Sequence, residues 1–189
     1  MKIVERAGKS TRMVFHTLSF PSPLGWILIA AGSGMICLLH FCGSAQPSDD
    51  EILNLVREQF PGGALAEPAQ DLPLLHQVKK AVLEYLNHGA PLPLPPLDTG
   101  KSTPFQREVW NALLQIPFGE TRSYLEISRA VGRPGAARAV GRACGRNPIA
   151  LLIPCHRVVA SGGKLGGFSC GLDYKRALLK LERERVDSS

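Results

Sequence analysis

An α+β fold in two parts is what this sequence predicts, and three observations carry that expectation. Short apolar-polar alternations fill residues 13 to 41, helical periodicity dominates from residue 102 onward, and a proline-rich stretch, "APLPLPPLDTGKS", separates the two patterns. The charge changes sign at the same place. Residues 1 to 100 hold 7 Lys and Arg against 9 Asp and Glu, whereas residues 101 to 189 hold 15 against 7, so the net +6 belongs to the second part. Eleven of those fifteen cations are arginine, the side chain better suited to bidentate phosphate or base-edge contacts, which points to a polyanionic partner. A solubilising surface charge is the plain alternative.

In the first part, "MVFHTLSF" (13 to 20), "GWILIAA" (25 to 31) and "MICLLHF" (35 to 41) are separated by "PSPLG" and "GSG" and predict an antiparallel meander. "SDDEILNLVREQF" predicts a helix capped by Ser48 or Asp49, with Ile52, Leu55, Val56 and Phe60 on its apolar stripe. "LPLLHQVKKAVLEYLNHG" predicts a second, burying Leu75, Val78, Val82, Tyr85 and Leu86 and stopping at Gly89. Pro91, Pro93, Pro95 and Pro96 then make a stiff extended connector, and the domain boundary is expected there, between 1–97 and 98–189.

The second part opens with "STPFQREVWNALLQI", a helix capped by Ser102 or Thr103 that should bury Phe105, Val109, Trp110, Leu113 and Leu114. "TRSYLEISRAVG" and "GAARAVGRACGRN" predict two short helices about a tight turn, a helix-turn-helix candidate. Arg138, Arg142 and Arg146 recur every four residues on the second of these, while Ala137, Ala139, Gly141 and Gly145 keep it thin. Small residues let a backbone approach a groove closely, and they serve equally to pack one helix tightly on another. The last helix, "LDYKRALLKLERERV", carries Lys175 and Glu182 on one face, charges that a helical pattern ordinarily leaves solvated.

Composition narrows the class. With 44% apolar and 20% charged residues the chain can bury a core without disulfide staples. "MKIVERAGKS" has no apolar signal region and no apolar run approaches a spanning helix, so a soluble intracellular protein is expected. Five cysteines without a CxxC pair suit a reducing compartment. Cys37, His40 and Cys42 crowd together, but strand alternation sends Cys37 and His40 to opposite faces, so they are read as strand residues and no metal is expected.

The chemically suggestive stretch is "ALLIPCHRVVA", Ala150 to Ala160, where an apolar run that reads as a buried strand stops at Pro154 before a thiol, an imidazole and a guanidinium. A nucleophilic thiol needs its pKa lowered or its proton removed. Neighbouring side chains of an extended backbone point apart, so Cys155 would reach His156 only through a turn or a water. An imidazole base also wants a carboxylate to fix its tautomer. The second part offers Glu108, Glu120, Glu126, Asp173, Glu182, Glu184 and Asp187.

"IPCHRVV", together with "STPFQREVW", "IPFGETRSY", "GRPGAARAVGRACGRNPI" and "GGFSCGLDYKRALLKLE", closely resembles the O6-alkylguanine-DNA alkyltransferase family, also called methylated-DNA-protein-cysteine methyltransferases. The likeness covers nearly all of residues 102 to 182; the first part matches only in plan and in "SPLG". The resemblance implies a ribonuclease H-like first domain and a winged helix-turn-helix-like second one. It implies a protein that binds double-stranded DNA carrying O6-alkylguanine, flips the base, and takes its alkyl group onto itself once. Thymine O4 is a further possible donor. No cofactor is implied, and no membrane. The protein would be a cytoplasmic monomer able to bind DNA cooperatively, nucleoid-associated in a prokaryote or nuclear in a eukaryote.

By resemblance, Cys155 is the acceptor, His156 its base through a water, and Glu182 the carboxylate that orients His156. Asn147 is the hinge asparagine, Tyr124 rotates the target phosphate and helps protonate the departing guanine, and Lys175 is the pocket lysine. Arg138 is the finger that enters the stack, with Ala137, Ala139, Gly141 and Arg142 beside it on the DNA face. Pro154, Val158, Phe168, Ser169 and Cys170 frame the pocket, with the Val158 carbonyl reading the guanine amino group and Ser169 meeting O6. Phe168 stands where many relatives have a tyrosine, and Cys170 where a glycine-like residue is common. The vertebrate-type zinc site of the family finds no match. Two rival functions remain at this level: a non-catalytic alkyltransferase-like damage-binding protein, and a cysteine hydrolase using Cys155, His156 and Glu182.

Overall fold

The computed structural model describes residues 13–66 and 72–188; the N-terminal decapeptide read above for a targeting signal lies outside them. The chain divides into two compact units, Met1–Ser102 and Thr103–Ser189.

In the first unit the alternating segments form the expected antiparallel meander, β1 (Val14–Ser22), β2 (Gly25–Gly32) and β3 (Met35–Gly43). A two-residue strand that the pattern does not announce, β4 (Ala64–Leu65), adds parallel to β1 and completes the order β3-β2-β1-β4. Helix α1 (Asp49–Gln59) starts at Ser48, whose side chain and that of Glu51 cap each other's backbone. Its Ile52 and Val56, with Phe60, close one core with Phe15, Leu28, Ala30, Cys37 and Leu38 of the sheet. The Cys37 thiol donates to the Ala30 carbonyl inside that core, at 3.3 Å. Helix α2 (Pro73–His88) buries the five residues expected of it, ends on left-handed Gly89, and packs on β1 and β2.

The connector stays with the first unit further than composition suggests. Ile36 N donates to Pro96 O, Asp98 N to Ile36 O, and Lys101 N to Gln59 O. Those backbone bonds hold 98–102 to the first unit, and the division falls at Ser102/Thr103 instead of 97/98.

The second unit is helical: α3 (Pro104–Leu113), α4 (Tyr124–Ala130), α5 (Ala137–Gly145) and α6 (Leu172–Asp187), with two two-residue parallel strands, β5 (Arg122–Ser123) and β6 (Val158–Val159). Helices α3, α4 and α5 pack on one another. The α3 N-terminus is closed by Thr103 Oγ1, which accepts from Gln106 N at 3.2 Å, while Gln106 Oε1 accepts from Thr103 N at 2.8 Å. Thr103→Ala is expected to cost about 1 kcal/mol, measured by urea unfolding, because orphan donors at a helix start lose their acceptor. Val109, Trp110 and Leu113 are buried as expected, and Trp110 Nε1 donates to Ala143 O at 2.9 Å. Phe105 and Leu114 are only half-buried. The ring of Phe105 instead carries the Arg133 guanidinium at 5.3 Å, a contact available only near the surface.

The apolar run before Pro154 is not a strand. Ile153 N donates to Ile149 O and Leu152 N to Ala150 O, and Leu151 takes a positive φ of 70°. Ile149–Ile153 is thus a buried, tightly turned support, and Cys155–Arg157 follows as one turn of 3₁₀ helix. No helix among the described residues is long and apolar enough to cross a membrane.

Candidate active site

Asn147, just beyond α5, organises the approach to Cys155. Its Oδ1 accepts from Ile149 N at 3.0 Å, and its Nδ2 donates to Ile153 O at 2.9 Å and to Cys155 Sγ at 3.1 Å. One amide therefore fixes both ends of the tight turn and aims a donor at the sulfur. Cys155 is buried, and that burial pushes its thiol up to about 12, against the Asn147 donor and the Lys175 ammonium. The resting group is a thiol, so any attack must remove its proton as the new bond forms.

The 3₁₀ turn lets His156 and Arg157 reach one carboxylate. His156 (0% exposed) meets Glu182 (1%) through Nε2 and Oε1 at 3.0 Å. Arg157 Nε donates to both Glu182 oxygens at 3.1 and 3.0 Å, its Nη2 to Oε1 at 2.8 Å, and its Nη1 to Ile116 O at 2.7 Å. Gly119 N, in a turn with φ 78° that favours glycine, donates to Glu182 Oε2 at 2.9 Å. A carboxylate surrounded by donors accepts from the imidazole, so His156 is assigned as the Nε2–H tautomer. Its Nδ1 is buried and has no hydrogen-bond partner among the described residues. Burial holds His156 below the ordinary imidazole value; Glu182 opposes this, while Arg157 and Lys175 add to it.

Of the seven carboxylates that the sequence left open, only Glu182 meets His156. Glu108 pairs with Arg133, Glu120 with Arg122, Asp173 with Arg176, Glu184 with Lys180 and Asp187 with Arg183, while Glu126 closes the N-terminus of α4. Lys175 and Glu182, charges of a kind that a helix ordinarily leaves solvated, both lie on the buried face of α6, where each has backbone or ionic partners. Lys175 Nζ donates to Val158 O at 2.6 Å and to Gly167 O at 3.0 Å, and burial lowers its pKa. Gly167 O also accepts from the Tyr124 hydroxyl at 3.3 Å. The Tyr124 ring lies against Gly166, where an added Cβ would sit 2.8 Å from a ring carbon.

A cavity of about 530 Å³ opens beside these groups, within the ~300–1,000 Å³ range of pockets that enclose small ligands. Cys155, Tyr124, Arg138, Gly141, Arg142, Phe168 and Ser169 line it, together with Cys144, Gly145 and Gly167. Pro154 and Val158, buried, and Cys170, half-buried beside Ser169, lie outside that lining. On α5, Val140, Ala143 and Cys144 face inward while Arg138 and Arg142 are exposed, as is Arg146 just beyond its end; Ala137 and Ala139 are half-buried between. The thin helix thus does both things the sequence allowed: it packs by one side and presents arginines on the other.

Sequence reasoning missed Arg157 and Cys144. The Arg157 guanidinium turns to Glu182 and packs 5.8 Å from the Phe118 ring; its place inside "PCHRV" is the available signal. Nothing in the helical pattern singled out Cys144 as a second cavity thiol, which burial likewise pushes up to about 12. Among the described residues no three His, Cys, Asp or Glu side chains are grouped so as to hold a metal ion.

Both the sequence and the fold of this chain have relatives among known proteins. Residues 104–184 match the model of the 6-O-methylguanine DNA methyltransferase DNA-binding domain. A methylated-DNA–protein-cysteine methyltransferase of Mycobacterium tuberculosis is 60% identical over 86 residues, 46% of this chain and 52% of that protein. The chain thus matches about half the length of the first such relatives. A probable methylated-DNA–protein-cysteine methyltransferase of Acanthamoeba polyphaga mimivirus is 42% identical over 140 residues, 73% of this chain and 88% of that one. Among solved structures, Mycobacterium tuberculosis OGT in complex with DNA is 36% identical with a TM-score of 0.72, covering 91% of this chain and 94% of that chain. The O6-methylguanine-DNA methyltransferase of Pyrococcus kodakaraensis is 25% identical with a TM-score of 0.67, covering 89% and 98%. With the mimivirus relative 42% identical and matched over 88% of its length, the chain belongs to the methylated-DNA–protein-cysteine methyltransferase family.

Proposed function

We propose that this protein repairs double-stranded DNA by direct reversal, moving a methyl or other alkyl group from guanine O6, or from thymine O4, onto Cys155 in a single turnover. The observation that carries this is a buried thiol, held by an asparagine donor, in a cavity of about 530 Å³ bordered by an arginine-bearing helix. A base must leave the duplex to reach such a sulfur, at a cost of a few kcal/mol that is least for a damaged or mispaired base. Arg138, exposed on the first turn of α5 and lining the cavity, suits a side chain that fills the gap left in the stack, with Arg142 on phosphate and Ala137, Ala139 and Gly141 allowing close approach.

The step balances without a cofactor. The S–C bond forms as the C–O6 bond breaks, the thiol proton passes through water to His156 Nδ1, the departing guanine takes the Tyr124 hydroxyl proton, and the imidazolium proton, released through water, restores the phenol. Asn147 Nδ2, already on the sulfur, stabilises the charge that develops there. Lys175, bonded to the Val158 and Gly167 carbonyls, holds the pocket wall; Pro154 backs the turn, and Phe168, Ser169 and Cys170 border the entrance. A thioether has no good leaving group, so the protein acts once.

We read the α4–α5 pair as a winged helix-turn-helix-like motif and the first unit as a ribonuclease H-like scaffold, a reading supported by the order β3-β2-β1-β4 with β4 parallel to β1. Residues 1–102 would then be scaffold and 103–189 the acceptor domain, working as a monomer beside nuclear or nucleoid DNA. The test is to incubate the protein with a duplex containing O6-methylguanine and weigh the intact chain. A gain of one methyl group per chain, located on Cys155, is expected. Binding without mass gain would instead identify a damage-binding protein, and repeated turnover of an ester or amide a hydrolase.

A further inference from the structure

The geometry points to Arg157 as a positioning residue that sets the proton state of the site: by saturating Glu182 it makes that carboxylate a fixed acceptor for Nε2–H of His156 and leaves Nδ1 as the one place where the cysteine proton can go. This rests on the alkyl-transfer reading and adds a residue to it. Arg157 is 13% exposed, donates through three nitrogens, and ties three segments together: its own turn, α6 through Glu182, and the 116–119 turn through Ile116 O. With Gly119 N also on Oε2, Glu182 receives donors on both oxygens. It can orient an imidazole but is poorly placed to accept a proton itself.

The consequence is electrostatic as well as geometric. The charged groups bearing on His156 are Glu182 and Lys175 from α6 and Arg157 from its own turn. Helix α3, also packed on that turn, carries Arg107 and Glu108, neither of which bears on His156, and Glu108 pairs with Arg133. Alone, Glu182 would draw His156 toward a standing imidazolium, which cannot take a proton. Burial is the larger influence that keeps the imidazole neutral, and the Arg157 charge adds to it by offsetting the pull of Glu182. Removing the charge should therefore raise the pH at which His156 becomes competent.

The experiment measures single-turnover methyl transfer against pH for the wild type, Arg157→Gln and Arg157→Lys. In Arg157→Gln the acid limb of the rate profile is expected to move up by about one pH unit, the size of effect that a neighbouring charge exerts. In Arg157→Lys, which keeps the charge, the limb should stay near that of the wild type although the plateau rate falls. A purely structural role would lower the rate equally at every pH, and an unmoved limb in Arg157→Gln overturns the proposal. Should Arg157→Gln fail to fold, imidazole ¹⁵N spectra of the wild type decide: protonated Nε2 with an unprotonated Nδ1 is expected, and the opposite tautomer overturns it. Failure of the wild type to gain a methyl group would instead refute the alkyl-transfer reading and leave the tautomer result standing.

Discussion

Cys155→Ser should gain no methyl group under conditions in which the wild type is fully converted, while still binding the alkylated duplex. Serine fits the site, and Asn147 Nδ2 can donate to a hydroxyl as it does to Sγ, so the amide keeps its acceptor and the fold should change by about 1 kcal/mol. What is lost is nucleophilicity. Even the buried thiol must give up its proton to react, and a hydroxyl releases its own far less readily to an imidazole whose basicity burial has already reduced. Intact-protein mass with peptide mapping checks both halves of the prediction. Cys144 lines the same cavity and is the alternative acceptor. Methylation of Cys144 in the variant would defeat the assignment of Cys155 as the sole acceptor.

Glu182→Ala should destabilise the helical unit by about 3–5 kcal/mol, since removing one partner of a buried ion pair leaves the other charge uncompensated. Arg157 would lose its bonds to both carboxylate oxygens, His156 its orienting acceptor, and Gly119 N its partner. Arg157 keeps some contact with water and its bond to Ile116 O, which favours the lower part of that range. Glu182→Gln, which preserves shape and part of the bonding, should lose much less. Urea midpoints at constant slope measure the difference, and a loss below about 1 kcal/mol for the alanine variant would show the pair to be solvated in solution.

Much of the scaffold was legible because local rules and tertiary packing agree there. The meander has period-two alternation, α2 has five apolar residues at helical spacing and a glycine stop, and α3 has its cap. Legibility failed where tertiary bonds override pattern. Ile149–Ile153 is as apolar as a buried strand, and only the Asn147 bonds and the left-handed Leu151 make it a turn. β4, β5 and β6 are two residues each, too short for any periodicity. At the site, Cys155 and His156 stood out as an interruption, but the choice of Glu182 among seven acids came from family resemblance. Burial of Lys175 and Glu182 runs against the ordinary rule that charges on a helix face water. Arg157 was visible as a neighbour of the thiol, yet its direction depends on a helix that starts fifteen residues later.

The bond from Trp110 Nε1 to the Ala143 carbonyl has an optical consequence. The chain has two tryptophans, the half-buried Trp26 on β2 and the buried Trp110 on α3, one in each unit. Their fluorescence should differ in colour, with the apolar surroundings of Trp110 giving the shorter-wavelength emission. Trp26→Phe would leave a single tryptophan, anchored to the arginine-bearing helix, so that loosening of that helix could be followed by light alone, without a label.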